Sequence, residues 1–339
     1  VRRFYSAAVI IGLVFAFGLV STAGAADIPE ELQKLKPADF PRKPIELVVV
    51  YPAGGGMDVT ARILAKHLPK YVGTKCIVVN KTGGGGMVGH AYITTTAPAD
   101  GYVVGVMAGS LVTDDLTRAK GQWSYQDLKW LALINFTPLT WVTTSDSPVA
   151  KMSLKELVDH AKKNPNQIKI AVIKGMDFEY MTKKVEMTTG AKFNMVGFQG
   201  GAPCVTAALG GHVDVASAYL GEYKGHLEGG KIKVLGQAGP GPYKYLPGVP
   251  SFNEALGVKD IIFGANRFAT VPKNTPADRC KFLEAAIIMA LKDPELQKDY
   301  DNIGIDVDSR FMNAEQTKKD IDEYYVMKKE LFKDLGITK

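Results

Sequence analysis

Three adjacent glycines, Gly54, Gly55 and Gly56, stand out in "VVVYPAGGGMDVTARILAKHL" (48–68). They separate a β-branched apolar run from an amphipathic one, the layout of a strand, a tight loop and a helix start. Glycine tolerates φ > 0 and lets a ligand approach the backbone. Free N–H groups at a helix N-terminus, reinforced by the helix dipole, attract an anion. Asp58 then reads as a cap or first-turn acid that holds the turn. The same residues also suit a tight turn with no ligand. The loop is not a Walker A, since no Lys-Ser/Thr follows the glycines. It lacks the G-x-G-x-x-G spacing of a dinucleotide site, and Asn80 and Lys81 stand where an acid would meet a ribose. A carboxylate is the simplest anion left.

Catalytic chemistry has less to recommend it. No two of His67, His90, His160, His212 and His226 share a metal-ligand spacing, so neither a metal nor a cofactor is expected. His67 and His160 fall on helices and read as solvent-facing, and His212 reads as a turn residue. "MAGSLV" lacks the final glycine of a nucleophile elbow, and Asp214 reads as fixing a turn. With no nucleophile-base constellation, the chain reads as a binder rather than an enzyme, a secreted α/β hydrolase being the enzyme alternative.

The glycine loop needs a scaffold, and alternating strands and helices supply one. Strands are expected at 45–51, 76–80 and 102–107, with helices at 58–69 and 87–97. A second block repeats the layout. Ser153 and Glu156 form a capping box for a helix over 154–163. Strands follow at 168–173, 192–198, 213–219 and 231–237, with helices ending near Thr189 and Leu209. "LTWVTTSDSP" (139–148) and "IIFGANRFATVP" (261–272) are extended segments at the block boundaries. The expected fold is α/β: two lobes, each a mostly parallel sheet flanked by helices, with two crossing segments as a hinge. Lobe 1 takes 44–140 and 266–339, and lobe 2 takes 141–265. Ligands of such sheets bind beyond the carboxyl ends of strands, here in the cleft between lobes.

The chain has 339 residues, 46% apolar and 22% charged, enough for large cores. Its net charge of +6 comes without a basic tract, so no nucleic-acid partner is expected. Arg2 and Arg3 precede an apolar run from Ala7 to Val20, and small residues follow to Ala25. That order predicts a cleavable signal peptide over 1–25, export, and a leader over 26–43. A membrane anchor is the alternative, though the run is short for a span. Cys76, Cys204 and Cys280 are odd in number and widely spaced; they read as buried free thiols, with one bridge as the alternative.

"YPAGGGMDVTARILAKHL", "VVNKTGGGGMVG", "PADGYVVGVMAGS", "GGAPCVTAALGGHVDV" and "GGKIKVLG" follow one another in an order and spacing that resembles the periplasmic substrate-binding proteins of tripartite tricarboxylate transporters, the Bug family. The resemblance implies a Venus-flytrap fold, a small carboxylate in the cleft and delivery to inner-membrane permease subunits. A monomer is expected, and the carboxylate is expected to be a di- or tricarboxylate, aromatic acids included. Presentation to a membrane sensor kinase is the alternative. Residue by residue, the resemblance implies that Tyr51, Ala53, Gly54, Gly55, Gly56, Met57 and Asp58 form the first-lobe loop. It places Ser110 near the cleft, and Gln199, Gly200, Gly201 and Ala202 in a second-lobe loop that closes on the ligand.

Three segments depart from the family pattern. Lys174, Asp177 and Phe178 stand where small polar groups are usual, Ala218 and Tyr219 where an Asp or Asn pair is, and Asn266 and Arg267 where an aromatic pair is. Arg267 suits a fork on a second carboxylate, or alternatively a lobe-bridging ion pair. Tyr51, Phe178, Phe198 and Tyr219 would supply flat apolar walls, with core packing as the alternative for each. Lys174 is expected either at the ligand or paired with Asp177.

Overall fold

Ile45–Val49, β1, shows why its run is apolar throughout. Leu47 and Val49 face a core with Leu64, Leu283 and Ile287, while Val48 faces another with Met107, Trp130 and Phe268. A strand covered on both faces has no polar side to alternate with. The structure is a computed structural model that describes residues 28–307 and 313–338. The expected signal peptide lies outside the described residues. No helix among them is long and apolar enough to cross a membrane.

The other strands are β2 (Cys76–Asn80), β3 (Val103–Ala108), β4 (Leu128–Pro138), β5 (Thr140–Thr144), β6 (Lys169–Ile173), β7 (Asn194–Phe198), β8 (Val215–Ala218), β9 (Ile232–Gln237) and β10 (Gly264–Pro272). They form two five-stranded sheets, ordered β2-β1-β3-β10-β4 and β7-β6-β8-β5-β9. The two orders are equivalent. Three parallel strands come first, then one that enters from the other lobe, then one that leaves for it. The entering and leaving strands pair antiparallel. Each sheet is therefore mixed: two of its four ladders are antiparallel, yet four of its five strands run the same way, as the mostly parallel sheets expected would. The two extended segments read as connectors are β5 and β10, each next to a sheet's edge strand. β4, over "LKWLALINFTP", has no counterpart in the sequence reading.

The helices used below are α1 (Gly56–His67), α2 (Ser110–Thr117), α3 (Leu154–Lys163), α4 (Asp177–Thr189), α5 (Gly201–Leu209), α6 (Leu220–Glu228), α7 (Ala277–Leu291), α8 (Pro294–Asn302) and α9 (Ala314–Asp334). α3 starts on the expected capping box: Glu156 N–H donates to Ser153 Oγ (3.2 Å) and Ser153 N–H to Glu156 Oε2 (2.8 Å). Between the lobes the chain crossings bond to each other. Leu139 N–H donates to Phe263 O (2.9 Å), Ala238 N–H to Leu139 O (2.8 Å) and Phe263 N–H to Ala238 O (2.9 Å).

α9 is a third link. Ile321 and Tyr324 sit in a first-sheet core, but Leu331 and Phe332 sit in the second-sheet core beside Tyr180 and Phe263. The C-terminal segment thus does not return wholly to the first lobe, because the apolar face of α9 is long enough to serve both.

Candidate functional site between the lobes

The loop after β1 is held by the protein's own side chains. Asp58 is 1% exposed, and its carboxylate accepts from Gly54 N–H (2.8 Å), Arg62 Nε (2.8 Å) and Asn80 Nδ2 (3.0 Å). The Arg62 bond, followed by those of Gly54 and Asn80, outweighs burial and lowers its pKa to about 2. Asp58 is thus the turn-holding acid expected. Asn80, noted only for where it ruled out a ribose, also donates to Tyr51 O (3.0 Å).

The same bonds decide which glycine amides are available. Gly54, at φ +81°, gives its N–H to Asp58, and Gly55 gives its N–H to Pro52 O (3.4 Å). Gly56 and Met57 open α1, which no side chain caps. The available donors therefore begin at Gly56, later than the sequence implied.

Gly56 and Met57 line a cavity of 630 Å³ between the lobes. Tyr51, Ser110, Asp177, Phe178, Tyr219 and Arg267 line it as well. Ala53, Gly54, Gly55 and Asp58 do not, nor do Lys174, Gln199, Gly200, Gly201 and Ala202. Gly201 is packed on Glu222: a Cβ there would lie 1.9 Å from Glu222 Oε2. Ala202 and Phe198 line a separate shallow pocket. Lys174 is exposed, and its Nζ lies 3.7 Å from Glu179 Oε1, not at Asp177.

Arg267 projects from β10 toward α1. A Cβ on Gly56 would come within 3.0 Å of its Nη2, so any side chain there would push the guanidinium aside. Its Nη1 is buried with no hydrogen-bond partner, and no carboxylate pairs with it among the described residues. The lobe-bridging ion pair considered for Arg267 is therefore not formed there. Burial pulls its pKa down, opposed by the fields of Tyr219, Tyr300 and Tyr243. A guanidinium stays protonated nonetheless.

Much of the remaining wall is aromatic. Phe178 and Tyr219 meet edge to face at 5.2 Å. Tyr51 donates to Ser110 Oγ (2.7 Å). Burial raises the hydroxyl pKa of Tyr51, and that of Tyr219 far more, so both are uncharged donors. The two acids on the wall are already engaged. Asp177 Oδ2 accepts from Tyr324 (2.9 Å) and Oδ1 from the fully buried Lys328 of α9. Asp114 accepts from His90 Nδ1 (2.8 Å) and Arg118 Nε (2.8 Å).

Several of these residues were not singled out in the sequence. The Asp114–Arg118 spacing of one helical turn was a usable signal. Arg118 Nη1 also donates to Gly84 O (2.6 Å), tying α2 to the second glycine loop. Lys328 and Tyr324 come from a helix more than 140 residues away from Asp177, and nothing local marks them. Ile337, just past α9, also reaches the cavity wall.

Elsewhere, His67 is buried rather than solvent-facing, against Asp299 (Nε2–Oδ2 2.7 Å). One of its ring nitrogens lies within 4.8 Å of carboxylate oxygens of Asp293 and Glu295. Asp293 accepts from Lys70 (2.9 Å) and Tyr71 (2.8 Å), which makes the group a salt-bridged joint between α1 and α8. Asp214 accepts from Lys169 N–H (2.8 Å), the turn-fixing role expected. The three cysteines are free, but only Cys204 is fully buried.

The model of the tripartite tricarboxylate transporter family receptors matches residues 60–337. A Cupriavidus necator protein, described as a UPF0065 protein in the gbd 5′ region, is 29% identical over 341 residues, spanning 100% of this chain and 98% of its own. BugT of Bordetella pertussis is 29% identical over 241 residues, 70% of this chain and 72% of its own. A solved TctC solute-binding protein from Polaromonas superposes with a TM-score of 0.78 at 28% identity, covering 87% of this chain and 99% of that one. With a two-lobed fold and a family match that runs from α1 past α9, the chain belongs to the tripartite tricarboxylate transporter receptors, the TctC/Bug group of non-catalytic periplasmic solute-binding proteins.

Proposed function

We propose that the cavity captures a small dicarboxylate with a flat or apolar body, aromatic acids included, for delivery to the permease of a tripartite tricarboxylate transporter. The observation that carries this reading is Arg267, a half-buried guanidinium with a buried, unpartnered Nη1 at the mouth of an uncapped helix. Such a cation calls for an anion, and the planar fork matches a carboxylate. Arg267 Nη2 packs close against Gly56, so the guanidinium and the Gly56 amide would share one carboxylate. They are one anchor rather than the two envisaged from sequence. Arg118 is the other cation among the lining residues; it is paired with Asp114 but its side chain is 45% exposed, so a second carboxylate would lie toward it. Phe178, Tyr180 and Tyr219 would cover the body between. Two Rhodopseudomonas palustris proteins that share the fold, at 23% and 20% identity, were solved with adipate and with malate, both dicarboxylates.

Calorimetric titration with paired diacids and their monoamides tests this. Diacids should bind more tightly than monoamides to the wild type, and Arg118→Ala should erase that preference. Equal affinity for both members of each pair in the wild type would refute the dicarboxylate reading.

A further inference from the structure

A second recess lies on the other face of β10. The side chains of a strand alternate between faces, so Arg267 and Asn266 point opposite ways. Asn266 is 5% exposed, and its Oδ1 has no hydrogen-bond partner. It lines a pocket of 220 Å³ together with Asp260, Glu323 and Met327. Those three residues also line a groove of 460 Å³ that continues along α9 past Val326 and Glu330 to Asp334. Val326 is 55% exposed and Met187, across the groove, 43%. Lys184, paired with Asp260, is the only base among the lining residues, in a chain whose bases outnumber its acids. Asp322 pairs with Lys318, and Glu323 lies 3.9 Å from Lys319, while Glu330 and Asp334 have no ion pair among the described residues.

An apolar floor, acidic walls and a deep end closed by an orphaned acceptor define what fits. We infer that this groove docks a basic, apolar-spaced segment of a partner protein, with one arginine or lysine inserted to donate to Asn266. A buried acceptor without a donor is costly, and a partner's cation would satisfy it. The groove also spans both lobes, with Asp260 and Lys184 on one side and α9 on the other. Gly264 lines both this pocket and the ligand cavity, so a partner seated here would contact the strand that carries Arg267. The inference does not depend on which acid the cavity holds.

Fluorescence anisotropy with a short fluorescein-labelled peptide of alternating arginine and leucine tests it, against a glutamate-for-arginine control. The arginine peptide should saturate the full chain and the glutamate peptide should not. Added salt should weaken binding, as for exposed charges. Charge reversal at two exposed acids, Glu323→Lys with Glu330→Lys, should raise Kd by about tenfold or more. Asn266→Leu should weaken binding by a similar factor, while the wild-type melting curve and carboxylate affinity of the charge-reversal variant show that its fold persists. An unchanged Kd in the charge-reversal variant overturns the inference. So does equal binding of the glutamate peptide, or no binding of the arginine one. Displacement by spermine at equal affinity makes this a small-cation site, and self-association abolished by the same variant makes it a dimer face; either result also overturns it.

Discussion

Arg267 sits where a cation is expensive. The guanidinium is half-buried on the cavity wall, and its buried Nη1 has no partner, a donor that a bound anion would satisfy. Replacing Arg267 with alanine should remove a charge-assisted contact of ~1.5–3 kcal/mol, which lowers carboxylate affinity by about ten- to a hundredfold. Titration calorimetry checks this, and unchanged affinity would remove Arg267 from the site. The close approach of Arg267 to Gly56 is the other half of the argument. Gly56→Val should displace the guanidinium and cost roughly tenfold or more in affinity, since misplacing one charge-assisted hydrogen bond is worth about that. At Gly55, φ is −75° and a Cβ meets only Pro52 O at 3.4 Å, an ordinary contact. Gly55→Ala should therefore bind nearly as the wild type does. Three adjacent glycines looked interchangeable in sequence. Their amides differ because Asp58 claims one and Pro52 another, and side-chain reach is not written into local spacing.

At the level of elements, two acids set the pairing of helices with loops. Asp58 fastens the β1–α1 turn with a pKa held to about 2. A depressed carboxylate pKa contributes stability above the unfolded value near ~3.9, and that contribution is lost as pH falls toward 2. Acid titration followed by circular dichroism should show Asp58→Asn less stable at neutral pH, with the gap to wild type closing across that window. Asp177 fastens α4 to α9 through Lys328 and Tyr324. Removing one member of a buried pair strands the other. Asp177→Ala should cost ~3 kcal/mol or more, because Lys328 is fully buried. Lys328→Met should cost less, because Asp177 keeps Tyr324 and is 18% exposed. Chemical denaturation gives both values, and the opposite ranking would mean that the pair does not join the helices. Most elements were legible in the sequence: β1, β2, α3 and α5 follow from periodicity, caps and glycine punctuation. β5 and β10 were visible as extended segments but not as sheet members. Their neighbours lie far away in the chain, and direction of entry into a sheet is a tertiary property.

For the whole molecule, the paired crossings at Leu139, Ala238 and Phe263 leave the lobes joined by short backbone links and by α9. A ligand that touches Arg267 of β10 in one lobe and Phe178 of α4 in the other favours the closed arrangement only by its differential affinity for it. At a hundred times Kd, binding should add about 2.7 kcal/mol, a rise in melting temperature on the order of 5 °C, read by thermal shift across a panel of acids. Ile337 offers a practical consequence. Because the chain passes the cavity wall there, an environment-sensitive dye attached just beyond it would sit beside the captured acid. Its emission would make the protein an optical sensor for its own cargo, whereas a bulky purification handle grafted at the same point would crowd the entrance.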